Sequence, residues 1–330
     1  MKNNITFEEE ARRERISDGF TAPLVAACLI FFLQVLFGAL QNSIFRHHPQ
    51  SPETFWLYLL LPLLFSGFSV LLPFAVYNRL IGERLKPIFQ KQRLLVSPAV
   101  AVSGIFAVCG FAVLFRFFAM HLVAWLESFG FVFTRNVPPT DNPVLFVIFS
   151  ALIPAAFYEL AFRGIMAERI REWSPAAAVI LSAAVYSLCH LSLDIIPHAL
   201  AVGLVLGWLY LKTSSVLLSF AASALANALL AGLWVSGTLS LPVAAAGGVL
   251  GILGLIRCVF LTRKEKISAR FPKKDVLRGV FSSFALYTFF VITFLGLMFY
   301  HINRPQPDSP QSDPVEESQD NPFVILPEDR

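Results

Sequence analysis

The sequence predicts an all-α bundle of transmembrane helices, and three observations support this fold class. Hydrophobic side chains make up 56% of the 330 residues and charged ones 15%, with a mean hydropathy of +0.66. That balance leaves too little polar surface for a water-soluble globule. The apolar residues fall into runs of about 20, the length at which a helix crosses roughly 30 Å of hydrocarbon. The short alternating strands that a membrane barrel needs are missing from the sequence.

About nine apolar segments are the predicted spans of this bundle. In chain order they cover 20–41, 55–77, 97–120, 143–171, 175–195, 198–211, 214–234, 240–261 and 279–300. The segment 198–211 is short for a complete crossing, so eight spans is the alternative. The first segment follows a charged stretch and is long enough to span, and we therefore expect an uncleaved signal anchor.

The distribution of basic residues predicts a cytoplasmic N-terminus and an external C-terminus. Cytoplasmic loops carry an excess of Lys and Arg. This orientation places most of the 26 basic residues inside, including the clusters at 79–93 and 263–278. We expect a multi-pass protein of a bacterial plasma membrane.

Five regions follow from these spans. They are a cytoplasmic segment 1–19, accessory helices 20–142, a core 143–235 that carries polar motifs, C-terminal helices 236–302 and a tail 303–330. The tail is rich in Pro, Ser, Asp and Glu, a composition that predicts disorder.

Charge and cysteine content exclude other classes of protein. The net charge of +4 comes from loops that flank membrane helices, so no nucleic-acid partner is expected. The four cysteines lie singly in or beside apolar runs, without the paired spacing of a disulfide or a zinc site. Membrane lipids are the expected surroundings.

Polar side chains inside three of the apolar segments are the candidate functional residues. Ionisable groups at membrane depth are costly, and they are usually paired or functional. Glu159 and Arg163 lie one helical turn apart in the fourth segment, as do Tyr186 and His190 in the fifth. The seventh segment carries polar residues at every fourth position, namely Ser219, Ser223 and Asn227.

Three of these residues are predicted to lie at one depth. Glu159 and His190 are each about 15 residues from the turn at 173–175, and Asn227 is about 14 residues from the turn at 212–214. At 1.5 Å per residue all three reach roughly 22 Å. We therefore expect one polar pocket, in which Arg163 pairs with Glu159 or contacts a substrate carbonyl.

Two other interpretations of the polar residues stay open. Each one alone could be polar glue between helices, a common arrangement in membrane bundles. Glu159 and His190 could also bind a divalent metal such as zinc, although no third ligand stands at a recognisable spacing. No cofactor is otherwise indicated.

The order and spacing of the motifs resemble the CPBP family, also called the Abi or CAAX amino-terminal protease family. Its pattern is Glu-Glu-x-x-x-Arg, then Phe-x-x-x-His, then His-x-x-x-Asn, each on a membrane helix. The matching positions in this chain are Tyr158-Glu159-x-x-x-Arg163, Tyr186-x-x-x-His190 and Ser223-x-x-x-Asn227. The resemblance covers about residues 143–235.

The resemblance implies roles for these residues and also exposes two departures from the family. His190 would act as base or hold the hydrolytic water, with Glu159 as its carboxylate partner and Arg163 orienting Glu159 or the substrate. Asn227 and Ser223 would donate to the oxyanion. The family's first glutamate, held to activate the water, is Tyr158 here, and its third-motif histidine is Ser223.

The leading functional hypothesis is an intramembrane endopeptidase that cleaves a membrane-proximal peptide or protein, in peptide or bacteriocin processing or in immunity. One alternative is an inactive relative that keeps the pocket to bind a membrane partner. The other is a transporter or channel, in which Glu159, Arg163 and His190 would line a solute path.

Overall fold

The computed structural model describes residues 7–48, 54–80, 96–129, 143–171, 173–190, 192, 195–265 and 273–302. Within these ranges every regular element is a helix, and no strand is present. The predicted all-α fold class is therefore confirmed. The tail 303–330 lies outside the described residues, as does the whole loop 81–95.

The helices follow the predicted segments closely. They are α1 (Phe7–His47), α2 (Phe55–Leu80), α3 (Pro98–Glu127), α4 (Pro143–Val147), π1 (Ile148–Leu152), α5 (Ile153–Glu159), π2 (Leu160–Ala167), α6 (Glu168–Arg171), α7 (Pro175–Leu188), α8 (Ile196–Thr213), α9 (Val216–Val235), α10 (Leu241–Thr262), α11 (Lys273–Ser282) and α12 (Phe284–Ile302). Elements α4 to α6 form one continuous helical stretch from Pro143 to Arg171.

Six helices in the described part of the chain are long and apolar enough to cross a membrane, namely α1, α2, α3, α8, α9 and α10. The pair α11 and α12, bent by 55°, adds a seventh if it forms one span. Helix α8 passes this test although its segment had been predicted to be short. Helix α7 is apolar but has only 14 residues, so the count of nine spans and the orientation of the termini stay predictions.

Prolines and capping residues explain where several helices begin. Pro98, Pro143 and Pro175 each open a helix, a position where the missing N–H costs no hydrogen bond. Ser174 caps α7, because its hydroxyl accepts a hydrogen bond from the Ala177 amide at 3.3 Å.

Glycines bring α3 and α10 into backbone contact. A side chain on Gly254 would place its Cβ 2.6 Å from the Ala107 amide nitrogen and 2.8 Å from the Ser103 carbonyl oxygen. Gly110 likewise faces Gly251 with no room for a Cβ. Small residues at such interfaces are typical of helix pairs in membranes, where close van der Waals packing drives association.

The remaining packing places the 143–171 stretch inside the bundle. Helices α1 and α2 lie against it from one side, and α7, α8 and α9 from the other. Large apolar side chains stay exposed on outward faces, including Phe68, Ile180 and Phe260. These faces fit a hydrocarbon surrounding, because no element in the described part of the chain covers them.

Candidate functional site

A fully buried ion pair lies at the centre of the site. Arg163 Nη1 is 3.3 Å from Glu159 Oε1, and neither side chain has any exposed surface. Arg163 Nη2 donates a hydrogen bond of 3.1 Å to the Gly203 carbonyl of α8. The guanidinium also lies 4.7 Å from the centre of the Tyr186 ring, a cation–π distance. Arg163 therefore connects three helical elements through one side chain.

A change of helix type occurs at this pair. Glu159 is the last residue of α5, and Arg163 lies in the wider π2 segment that begins at Leu160. Single π turns inside α-helices are rare and are often found at functional sites. The two side chains lie on one face at contact distance, as the i, i+4 spacing predicts.

An aromatic cluster adjoins the ion pair and contains His190. The Tyr158 and His190 rings stack nearly parallel, 5.4 Å apart and 14° from coplanar. The Tyr186 ring meets the His190 ring edge-on at 5.1 Å. Residue 158, where the family pattern has its first glutamate, thus presents an aromatic ring to the histidine of the second motif.

Tyr158 and His190 face a cavity of about 230 Å³ that opens between α1, α2 and the 143–171 stretch. Its polar lining residues are Gln34, Gln41, Ser66, Ser69, Tyr158 and His190. Its other lining residues are Phe37, Gly38, Pro62, Phe65 and Cys189, so none of the described residues around it is acidic. Glu159 and Arg163 lie behind this wall and do not line the cavity.

The third motif reaches the ion pair through Ser223. This buried hydroxyl lies near enough to the Glu159 carboxylate to interact with it. Asn227 is half-buried one helical turn farther along α9. The structure thus brings Ser223 to Glu159 and Tyr158 to His190, in two neighbouring groups joined by Tyr186.

Two functional candidates escaped the sequence analysis. Gln34 of α1 donates from Nε2 to the Tyr158 hydroxyl at 3.2 Å, and Gly203 accepts from Arg163. Gln34 lies among apolar residues in the first predicted span, which is a weak indication of a polar contact, since a lone amide in a membrane helix is usually paired. Gly203 offered no signal, because its backbone carbonyl rather than a side chain forms the contact.

The donor set does not fit a metal centre. Within the described ranges, no three His, Cys, Asp or Glu side chains are grouped closely enough to hold an ion. A catalytic zinc needs about three protein ligands. Glu159 moreover pairs with Arg163, which leaves its carboxylate poorly placed to bind a cation.

The fold and site define a multi-pass membrane protein with a buried charged pair behind a polar cavity. Residues 140–229 match the family model described as Rce1-like, Type II CAAX prenyl endopeptidase Rce1-like. This match confirms the resemblance to CAAX-type membrane proteases, and its range includes Glu159, Arg163, His190 and Asn227. Neither the comparison with curated proteins nor that with solved structures finds a match.

Proposed function

We propose that this chain is a CAAX-protease-like membrane protein that binds a membrane-proximal peptide segment in the cavity beside Tyr158 and His190, without hydrolysing it. The observation that supports this proposal is the stacking of Tyr158 on His190. A tyrosine ring occupies the place of the carboxylate that would activate water, and its neutral phenol does not supply that ionised carboxylate.

The position of Glu159 supports the same proposal. Its carboxylate is paired with Arg163 and turned away from the cavity, so it does not stand in for the missing base. The cavity itself keeps amide and hydroxyl groups beside the rings of Phe37 and Phe65. This mixture suits a peptide, whose main chain needs hydrogen-bond partners and whose apolar side chains need contact surface.

Hydrolysis is the second candidate, because His190 lines the cavity and could hold a water molecule there. In that case Ser223 and Asn227 would donate to the oxyanion, and Arg163 would orient Glu159. Replacement of His190 by Ala would abolish cleavage of a membrane-proximal reporter. For hydrolysis the biological setting we propose is peptide or bacteriocin processing or immunity. For binding alone it is immunity or a scaffold role, in both cases at a bacterial plasma membrane.

Binding is tested with the full-length chain in lipid nanodiscs and a panel of acyl-anchored fluorescent peptides. Gly38 lines the cavity, and a Cβ added there meets no atom within 4 Å. A Gly38→Phe variant should fill the cavity without straining the fold and weaken binding about tenfold or more, which is about 1.4 kcal/mol.

Gly232 provides the matched control, because its added Cβ also meets nothing within 4 Å. It lies on α9, away from the cavity. Fluorescence anisotropy of the Gly232→Phe variant should match that of the wild type. Equal affinities for the two variants, or no binding of any peptide by the wild type, would contradict the proposal.

A further inference from the structure

Two contacts with α1 give the level along α1 at which α12, the last helix before the tail 303–330, ends. Thr21 of α1 hydrogen-bonds Ser283 at the start of α12, with 3.1 Å between the hydroxyls. Farther along, Gly296 packs against the Phe31 ring with no space for a side chain. Residue numbers increase in the same direction along both helices from the first contact to the second, so α1 and α12 run parallel.

This pairing fixes the level at which the tail begins. Ile302 lies six residues beyond Gly296, a rise of about 9 Å. The same rise from Phe31 leads to the level of Phe37 and Gly38, which line the cavity. Phe31 and Gly38 are seven residues apart and therefore on nearly the same face of α1. Ile302 thus reaches about the same level along α1 as the residues that line the cavity.

One part of the tail has the chemistry of a ligand for this cavity. Residues 323–326 read Phe-Val-Ile-Leu between Pro322 and Pro327, and the rest of the tail is almost entirely polar. Two β-branched residues favour an extended backbone, in which the amide groups stay available for partners. A cavity of about 230 Å³ has room for a few apolar side chains rather than a whole domain.

The cavity wall offers a matching acceptor. Gln34 donates through its amide nitrogen to Tyr158, whereas its buried Oε1 has no hydrogen-bond partner in the described part of the chain. A buried acceptor without a partner costs about 1–3 kcal/mol. This oxygen is shielded in the structure, so a main-chain N–H of an extended segment that crosses Gly38 would bond to it after the Gln34 side chain turns toward the cavity.

Length and charge agree with docking in the same chain. From Ile302 to Phe323 the chain has 21 residues, enough to reach about 70 Å when extended. The tail carries seven acidic and two basic residues. In the sequence Arg46 follows the residues of α1 that line the cavity, and its charge is opposite in sign to the net charge of the tail.

We infer that residues 323–326 dock in the cavity as an intramolecular peptide, with their main chain on Gln34 and their side chains on Phe37 and Phe65. The inference rests on the proposed peptide-binding function and names a ligand for it. An external peptide then competes with a segment that is already tethered at high effective concentration.

Cysteine cross-linking of the full-length chain in membrane vesicles tests this docking. A disulfide forms only when the two Cα atoms come within about 7 Å. Copper phenanthroline is added to a Gly38→Cys, Ile325→Cys variant, and linked peptides are quantified by mass spectrometry. The matched control is Gly232→Cys with Ile325→Cys, and a second control pairs Gly38→Cys with Ser318→Cys.

Docking predicts about tenfold more linkage for the 38–325 pair than for either control, within a single chain. Deletion of residues 320–330 should raise the affinity for an acyl-anchored reporter peptide several-fold, because it removes a tethered segment that competes for the cavity. Equal linkage in all pairs, or linkage found only between two chains, would overturn the inference. If Gly38→Phe still weakens reporter binding in that case, the proposed peptide-binding function stands and only the docking of the tail is refuted.

Discussion

Removal of Arg163 alone should destabilise the protein far more than removal of the whole ion pair. In the single variant Arg163→Met, Glu159 keeps a carboxylate with no exposed surface and loses the counter-charge that Arg163 provides. Breaking a buried pair in this way costs about 3–5 kcal/mol. Arg163→Met also loses the hydrogen bond to Gly203 and the contact with Tyr186, so its cost should lie at the upper end of that range.

The double variant Glu159→Leu, Arg163→Met separates the charge from the packing. Replacing both charges by apolar side chains of similar volume is often neutral or stabilising by about 1–4 kcal/mol. Here the lost hydrogen bond to Gly203 offsets part of that gain, by about 1.5–3 kcal/mol for a charged donor. We therefore expect the free energy of unfolding of the double variant to lie within about 2 kcal/mol of the wild-type value. Its loss of stability should be several kcal/mol smaller than the sum of the losses in the two single variants.

The assay is unfolding in mixed micelles of mild detergent and SDS, followed by the fluorescence of the five tryptophans. Arg163→Lys serves as a control, because it keeps the charge but cannot bind Glu159 and Gly203 with one planar fork. It should fall between the wild type and Arg163→Met. Additive single-variant effects in the double variant would refute the view that the two charges are mutually compensated inside the bundle.

Two further predictions concern contacts on either side of the site. Gly254→Leu should separate α3 from α10 and destabilise the chain by about 1–3 kcal/mol or more. Gly232→Leu, which has open space around its added Cβ, should not destabilise it. The same unfolding assay distinguishes the two variants, and equal losses of stability would contradict the backbone contact between α3 and α10. Tyr158→Phe removes the acceptor for Gln34 and should cost about 0.5–1.5 kcal/mol while preserving the ring stack on His190. A Gln34→Leu, Tyr158→Phe pair should recover most of that loss, and failure to recover it would show that the hydrogen bond is not the cause.

The fold class was accessible from the sequence because a membrane imposes one strong rule on the chain. Any spanning segment must satisfy its own backbone hydrogen bonds, so apolar runs of sufficient length become helices. The same rule does not determine at which residue a membrane-spanning helix begins or ends. Segment 198–211 extended into an 18-residue helix, α8, because Ile196 and Pro197 begin it earlier, whereas 175–195 shortened to the 14 residues of α7.

The candidate site was predictable where its contacts run along one helix. The i, i+4 spacing of Glu159 and Arg163 led directly to the ion pair, and Tyr186 and His190 came into ring contact in the same way. Contacts between distant helices were not predictable. Gln34 reaches Tyr158 across 124 positions of sequence, and the spacing of polar residues along each helix does not show which helices become neighbours.

The central claim is that a tyrosine at position 158 leaves a peptide-binding cavity without a hydrolytic base, and cleavage of a quenched acyl-anchored peptide reporter tests it most directly. The wild type should bind the reporter and leave it intact. A Tyr158→Glu, Ser223→His variant, which restores the family's carboxylate beside His190 and its histidine beside Glu159, should gain cleavage that His190→Ala removes again. Cleavage by the wild type that is lost in His190→Ala would contradict the claim and establish the chain as a working protease.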